Sequence, residues 1–110
     1  METKKLNIVI DAGVDFIMAF RLKDYNNNLI DLTGASVAAH LRHLAEDKDY
    51  MPFEVSHNRT GGRVQIKMAG VNTEKIPYTD GVYDVQITFP NGTKICPLHG
   101  DVKIIAGATR

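Results

Sequence analysis

Apolar and polar residues alternate with a period of two along most of this chain. Tyr83, Val85, Ile87 and Phe89 fall on one side of a segment whose other side carries Asp84, Gln86 and Thr88, the pattern of a strand with one wet face. The same alternation predicts a first strand over residues 6–10, with Leu6, Ile8 and Ile10 together, and a second over 15–23, with Phe16, Met18, Phe20 and Leu22 together. Residues 36–42 follow with Val37, Ala39 and Leu41 inward. Ala38 and Ala39 would also suit the start of a helix, but Val37 and the two-residue period favour a strand. Extended structure resumes over 53–56, and Val64, Ile66 and Met68 alternate with Arg63, Gln65 and Lys67 in the next strand. Residues 93–98 and 101–105 complete the set, divided at His99-Gly100.

Turn chemistry separates these segments. Asp11-Ala12-Gly13 breaks the first strand, and Asp24-Tyr25-Asn26-Asn27-Asn28 is a run of residues that tolerate left-handed backbone and bond to their own chain. Thr33-Gly34 and Asn58-Arg59-Thr60-Gly61-Gly62 are further turns. Asn91-Gly92 between two alternating runs is a strong hairpin signal. Pro97 marks an edge position or a bulge in its strand. Residues 72–76 suit one capped helical turn stopped by Pro77, and 46–50 form a charged loop, mobile or turned toward a partner.

About eight short strands with no long helix predict an antiparallel sandwich of two sheets, with a small closed barrel as the alternative. Asp80-Gly81 ahead of Tyr83 looks like the tyrosine corner of immunoglobulin-like folds, in which the ring packs between strands E and F and its hydroxyl bonds to backbone just upstream. Val85 stands where an antibody domain carries its second cysteine. The expected fold is therefore all-β, an immunoglobulin-like antiparallel β-sandwich, with residues 1–110 forming one domain.

Composition narrows the function. Hydrophobic residues make up 44% of the chain, too many for a disordered one. Thirteen basic residues balance thirteen acidic ones, so no global electrostatic footprint exists for nucleic acid or an anionic membrane. The balance also leaves little repulsion between copies, which suits an assembly. Cys96 is the sole cysteine, so no internal disulfide forms, and a buried inert thiol is the expected state. No apolar run approaches the length that spans a bilayer, and a soluble protein made in a cytoplasm is expected.

Candidate chemistry is sparse. His40 and His43 form an H-x-x-H pair, but residues three apart on a strand face opposite ways and cannot grip one ion. His57 and His99 stand alone beside turns. Glu46, Asp47 and Asp49 lack the glycine and spacing of a calcium loop. Asp80 and Asp84 are not a paired acid and base, and Asp80 is expected to bond turn amides. No phosphate loop, nucleophile elbow or zinc-protease motif is present. No catalytic, cofactor-binding or metal-ligating residue is expected, and the expected protein is non-enzymatic, without cofactor, nucleic acid or membrane partner.

The ordered phrases of the chain resemble a known group. Phe16-x-x-x-Phe20-x-x-Lys23-Asp24 leads to an Asn-rich turn and Ile30-Asp31-Leu32-Thr33-Gly34. Gly61-Gly62-Arg63-Val64, Ile76-Pro77-Tyr78, Gly81-Val82-Tyr83-Asp84-Val85, Asn91-Gly92-Thr93 and Leu98-His99-Gly100-Asp101-Val102 follow in order, and the chain stops near Thr109-Arg110. This is similar to small β-sandwich proteins from the structural modules of tailed phages and prophages, including the N-terminal domain of siphophage baseplate upper proteins. The segment from His43 to His57 is more charged than that pattern. The resemblance implies a virion structural protein of the tail, baseplate or head-to-tail connector, partnered by other virion proteins and forming a homo-oligomer within the particle. A capsid decoration protein and a carbohydrate-binding adhesion module are the alternatives, the latter relying on Tyr25, Tyr50 and Tyr78. The first and last strands, with Val9 and Ile105 on their outer faces, are the expected contact elements.

Overall fold

The computed structural model describes residues 3–58 and 62–106. Nine strands appear among them: β1 (Lys4–Lys5), β2 (Ile8–Asp11), β3 (Phe16–Arg21), β4 (Ser36–Arg42), β5 (Met51–Pro52), β6 (Glu54–His57), β7 (Arg63–Met68), β8 (Asp80–Thr88) and β9 (Lys94–Ile105). A short helical turn, α1 (Gly70–Thr73), lies between β7 and β8. One sheet runs β1-β9-β8-β4-β5, with β2 also paired to β9; the other runs β3-β7-β6. The second sheet has the order of immunoglobulin strands B, E and D, and β4, β8 and β9 take the places of C, F and G. The fold is an immunoglobulin-like β-sandwich. All pairings are antiparallel except those of β1 and β2, which run parallel to β9.

The two-residue period places the core. Ile8, Ile10, Leu41, Tyr83, Val85, Ile87, Val102 and Ile104 of the larger sheet face Val64, Ile66 and Met68 of β7, and all are buried. Burial of one such side chain contributes about 1.5–3 kcal/mol. The chain changes sheets at Phe53, between β5 and β6. Its amide donates to the Ala39 carbonyl at 2.9 Å, while its ring, 5.9 Å from that of Phe16, closes the gap between the layers.

The turns follow their residues. The Asp24 carboxylate accepts from the amides of Asn26 and Asn28, with Asn27 at φ 64° between them. At Asn91-Gly92 the hairpin closes through Gly92 N–H to the Phe89 carbonyl and Phe89 N–H to the Thr93 carbonyl, with Gly92 at φ 88°. Pro97 marks a bulge: Cys96 and Pro97 together oppose Gln86 between the pairs Val85↔Leu98 and Ile87↔Ile95. The expected turn at 58–62 falls partly on Arg59, Thr60 and Gly61, outside the described residues, but Asn58 N–H reaches the Arg63 carbonyl across it.

Five expectations are corrected. The first strand begins earlier, at Lys4, and is interrupted at Leu6-Asn7, so Leu6 is exposed rather than in the core. There Asn7 Oδ1 accepts the Asp101 amide in place of a backbone carbonyl, and the Leu6 carbonyl turns inward to accept from the Tyr83 hydroxyl at 2.6 Å. The tyrosine hydroxyl thus bonds to the N-terminal segment and not to backbone just upstream. Next, β9 runs unbroken through His99-Gly100, because a glycine there lets the Leu6 carbonyl approach where a Cβ would collide with it. The helical turn starts at Gly70, two residues early, and Thr73 is buried within it. Thr73 Oγ1 accepts the Gly13 amide at 3.0 Å and lies within hydrogen-bond reach of the carbonyls of Val14 and Gly70. Finally, β9 is an interior strand, paired on both sides.

Candidate functional site

Strand register builds a polar row on the outer face of the larger sheet. His40 stands opposite Asp84, Asp84 opposite His99, and His99 opposite Lys5, and directly opposed residues share a face. Arg42 Nη1 lies 3.7 Å from Asp84 Oδ1, and Gln86 Nε2 donates to Asp84 Oδ2 at 3.3 Å. The arginine contact is too long for a hydrogen bond, so Oδ1 is shielded from solvent with Coulomb attraction alone. Beside this row is a shallow cavity of about 410 Å³ lined by Arg42, Asp84, Cys96, His99 and Asp101.

The charged loop is fastened over one end of the row. Asp47 Oδ2 accepts the Leu44 amide, and the Asp47 carbonyl accepts from Arg42 Nε, both at 3.0 Å. Tyr50 stacks on His40 with ring centroids 3.8 Å apart, and the Arg42 guanidinium lies 5.1 Å from the Tyr50 ring centre, a cation–π distance. The 46–50 loop, expected to be mobile or turned toward a partner, is thus tied to β4 through Asp47 and Tyr50.

Two ionisable groups on this face depart from their ordinary values. Burial, then the charge of Asp84, pushes the Cys96 thiol up, which keeps it protonated and poorly nucleophilic. Burial and the neighbouring Arg42 hold the His40 imidazole below its ordinary value, against the pull of Asp84. Among the described residues no group of three or more His, Cys, Asp or Glu is placed to hold a metal ion. His43, just past β4, donates from Nδ1 to the Asp80 carbonyl at 3.0 Å and packs its ring 4.7 Å from Tyr78. Asp80 therefore serves through its carbonyl, where a bond from its carboxylate to turn amides had been the expectation. His57 ends β6.

A second concavity, of about 510 Å³, opens between β1 and the end of β3 on the side where the two sheets part. Lys4, Lys5, Arg21 and Lys23 surround it, Phe20 forms part of its floor, and Tyr25 stands at its margin, 77% exposed. Tyr50, 48% exposed, and Tyr78 pack against histidines, and Tyr25 is the most exposed of the expected trio.

The polar row and the groove were invisible in the sequence because both are products of pairing between distant segments. Periodicity shows that Asp84 faces outward, but only register shows which residues flank it. Val9 and Ile105 do lie exposed on neighbouring strands. The free edges among the described residues are those of β1, β2, β3, β5 and β6, so the N-terminal strands lie at an edge and β9 does not.

The architecture defines a class, that of immunoglobulin-like sandwich domains. No protein-family model and no curated protein sequence matches the chain. Among solved structures it is similar to a point mutant of the SrpA adhesin from Streptococcus sanguinis, with a TM-score of 0.52 and 14% identity over 90% of this chain and 54% of the adhesin. It is also similar to the Lin-41 filamin domain, with a TM-score of 0.44 and 20% identity over 86% of this chain and 82% of that one. The chain spans about half the length of the adhesin structure it matches. At these identities the likeness concerns the fold alone.

Proposed function

We propose that the chain is a non-enzymatic structural component of a tailed-phage virion, in the tail, baseplate or head-to-tail connector, acting through protein–protein contacts. The observation that carries this reading is the combination of open sheet edges with the ordered run of phage-like phrases from Phe16 to Val102. β3 in particular offers an apolar edge strand, and assembly proteins use such edges for pairing between chains. The zero net charge fits a crowded assembly. The test is quantitative mass spectrometry of particles purified from the organism that carries the gene. A fixed, multiple copy number per particle is expected, and absence from intact particles refutes the reading. Recovery with emptied heads instead of tails would identify a capsid decoration protein.

One observation favours a second reading, a host-surface carbohydrate-binding module: the exposed Tyr25 ring beside the basic groove. Sugar faces pack on exposed aromatic rings through their apolar C–H surfaces. Tyr25→Ala should then abolish glycan-array binding of the purified protein. Binding that is absent in the parent, or unchanged in the variant, removes this alternative.

A further inference from the structure

β3 (Phe16–Arg21) is the edge of the smaller sheet. β7 pairs with one side of it along its whole length, from Phe16↔Met68 to Arg21↔Arg63. Among the described residues no strand pairs with its other side. Natural edge strands are usually blunted by a charge, a proline or a bulge, yet Phe16-Ile17-Met18-Ala19-Phe20 contains none of these. Ile17 is 57% exposed on the outer face. On the inner face Phe16, Met18 and Phe20 are half-buried, although Val64 and Ile66 beside them on β7 are fully covered. The sandwich is thus uncovered along this strand on both faces.

The charges that bound the strand are opposite in sign, Asp15 before it and Arg21 at its end; Asp15 Oδ1 accepts the Gly70 amide at 2.6 Å, so Oδ2 is the oxygen left to meet a partner strand. Two copies of the strand laid antiparallel about Met18 would place Met18 opposite Met18, Ile17 opposite Ala19, Phe16 opposite Phe20 and Asp15 opposite Arg21. Face parity agrees, since Asp15, Ile17, Ala19 and Arg21 are all exposed while Phe16, Met18 and Phe20 point toward the core. Antiparallel pairs gain from opposed charges and opposed aromatic rings.

We propose that β3 pairs antiparallel with β3 of a second copy of this chain, joining two three-stranded sheets into one of six strands. The complementary ends single out a second copy over a foreign strand, and the zero net charge places no general repulsion between copies. This names the surface that a copy occupies. It goes beyond the virion reading and stands or falls separately from it.

Sedimentation velocity on the full chain, from about 1 to about 100 μM, spans the Kd range of a weak specific contact and is expected to show a dimer. Ile17→Lys and Arg21→Asp should each weaken it at least about tenfold, whereas Arg21→Lys leaves it unchanged; far-ultraviolet circular dichroism checks that each variant is folded. Register is read by oxidation in a Cys96→Ser background. Ile17→Cys and Ala19→Cys chains should cross-link when mixed, and neither should cross-link efficiently with itself. A monomer at every concentration overturns the pairing. A dimer indifferent to Ile17→Lys and Arg21→Asp, or cross-linked only between identical variants, also overturns it but leaves an assembly role through another surface standing.

Discussion

Substituting Tyr83 by phenylalanine removes one oxygen from a side chain that is 3% exposed. That oxygen donates to the Leu6 carbonyl at 2.6 Å, where β1 gives way to β2, and so ties the N-terminal segment to the centre of the larger sheet. A hydrogen bond of this kind contributes about 1 kcal/mol net, so the variant should be less stable by that amount at pH 7. Alkali supplies the sharper test. Burial, with Cys96 adding to it, raises the Tyr83 hydroxyl from 10.0 to about 12. A group whose pKa is raised by folding contributes stability that is complete below its unfolded value and is lost as pH climbs through the folded one. The window is therefore pH 10 to 12, and the full linkage is of order 3 kcal/mol, of which about 1.4 kcal/mol is lost by pH 11. Urea unfolding of the parent and Tyr83→Phe at pH 7 and pH 11 reads both quantities. The parent should lose its advantage between the two pH values, because only it has a phenol at 83 to ionise. If the gap between the two proteins is the same at both, the hydroxyl is not held as the structure places it.

Three further perturbations address the same architecture. Gly100→Ala drives a Cβ into the Leu6 carbonyl and should cost about 1–3 kcal/mol in urea unfolding; a neutral result would mean that the Leu6 carbonyl does not approach β9 at Gly100. Thr73→Val keeps the shape of a buried side chain but leaves the Gly13 amide without its acceptor, at a cost of about 1–3 kcal/mol. Thr73→Ser should recover most of it, and equal melting temperatures for the valine and serine variants would refute the role of the hydroxyl. His40, held below its ordinary 6.5 by burial and Arg42, contributes stability that is present above pH 6.5 and falls as pH drops through its lowered folded value. An NMR titration should find it below 6.5 in the folded protein and nearer 6.5 in a Tyr50→Ala variant that uncovers the ring.

What the sequence made legible is what depends on near neighbours along the chain. The alternation at Val64, Ile66 and Met68, and at Tyr83, Val85 and Ile87, predicts which side chains are buried because a strand's period of two is a local property. The turns at Asp24 and at Asn91-Gly92 are equally local, each closed by side chains and left-handed residues within five positions. Leu6 fails for the opposite reason. Its apolar side chain continues the alternation of Ile8 and Ile10, but the conformation of its carbonyl is set by Tyr83, 77 residues away. Gly100 misleads in the same manner, since a glycine that looks like a break between two strands instead admits a third strand beside a continuous one.

The same distinction explains why contact surfaces resist reading from sequence, and why the last strand, expected to be a contact element, is not an edge. A strand is an edge by virtue of what is absent beside it, and Phe16 to Phe20 of β3 carry none of the charges, prolines or bulges that usually mark one. β9 ends the sheet in chain order, yet β1 and β2 return to cover it in parallel, which turns it into an interior strand. That return also removes β1 and β2 from the place beside β3 where a first strand could have completed the smaller sheet. The tie from Tyr83 to Leu6 that holds β1 and β2 on β9 and the opening along β3 are therefore two consequences of one choice of partner by the N-terminal segment. It follows that loosening the tie should affect β3 pairing as well as stability. With the N-terminal segment released, it competes with a second copy for the same edge, so Tyr83→Phe and Gly100→Ala should weaken self-association although neither residue lies on β3.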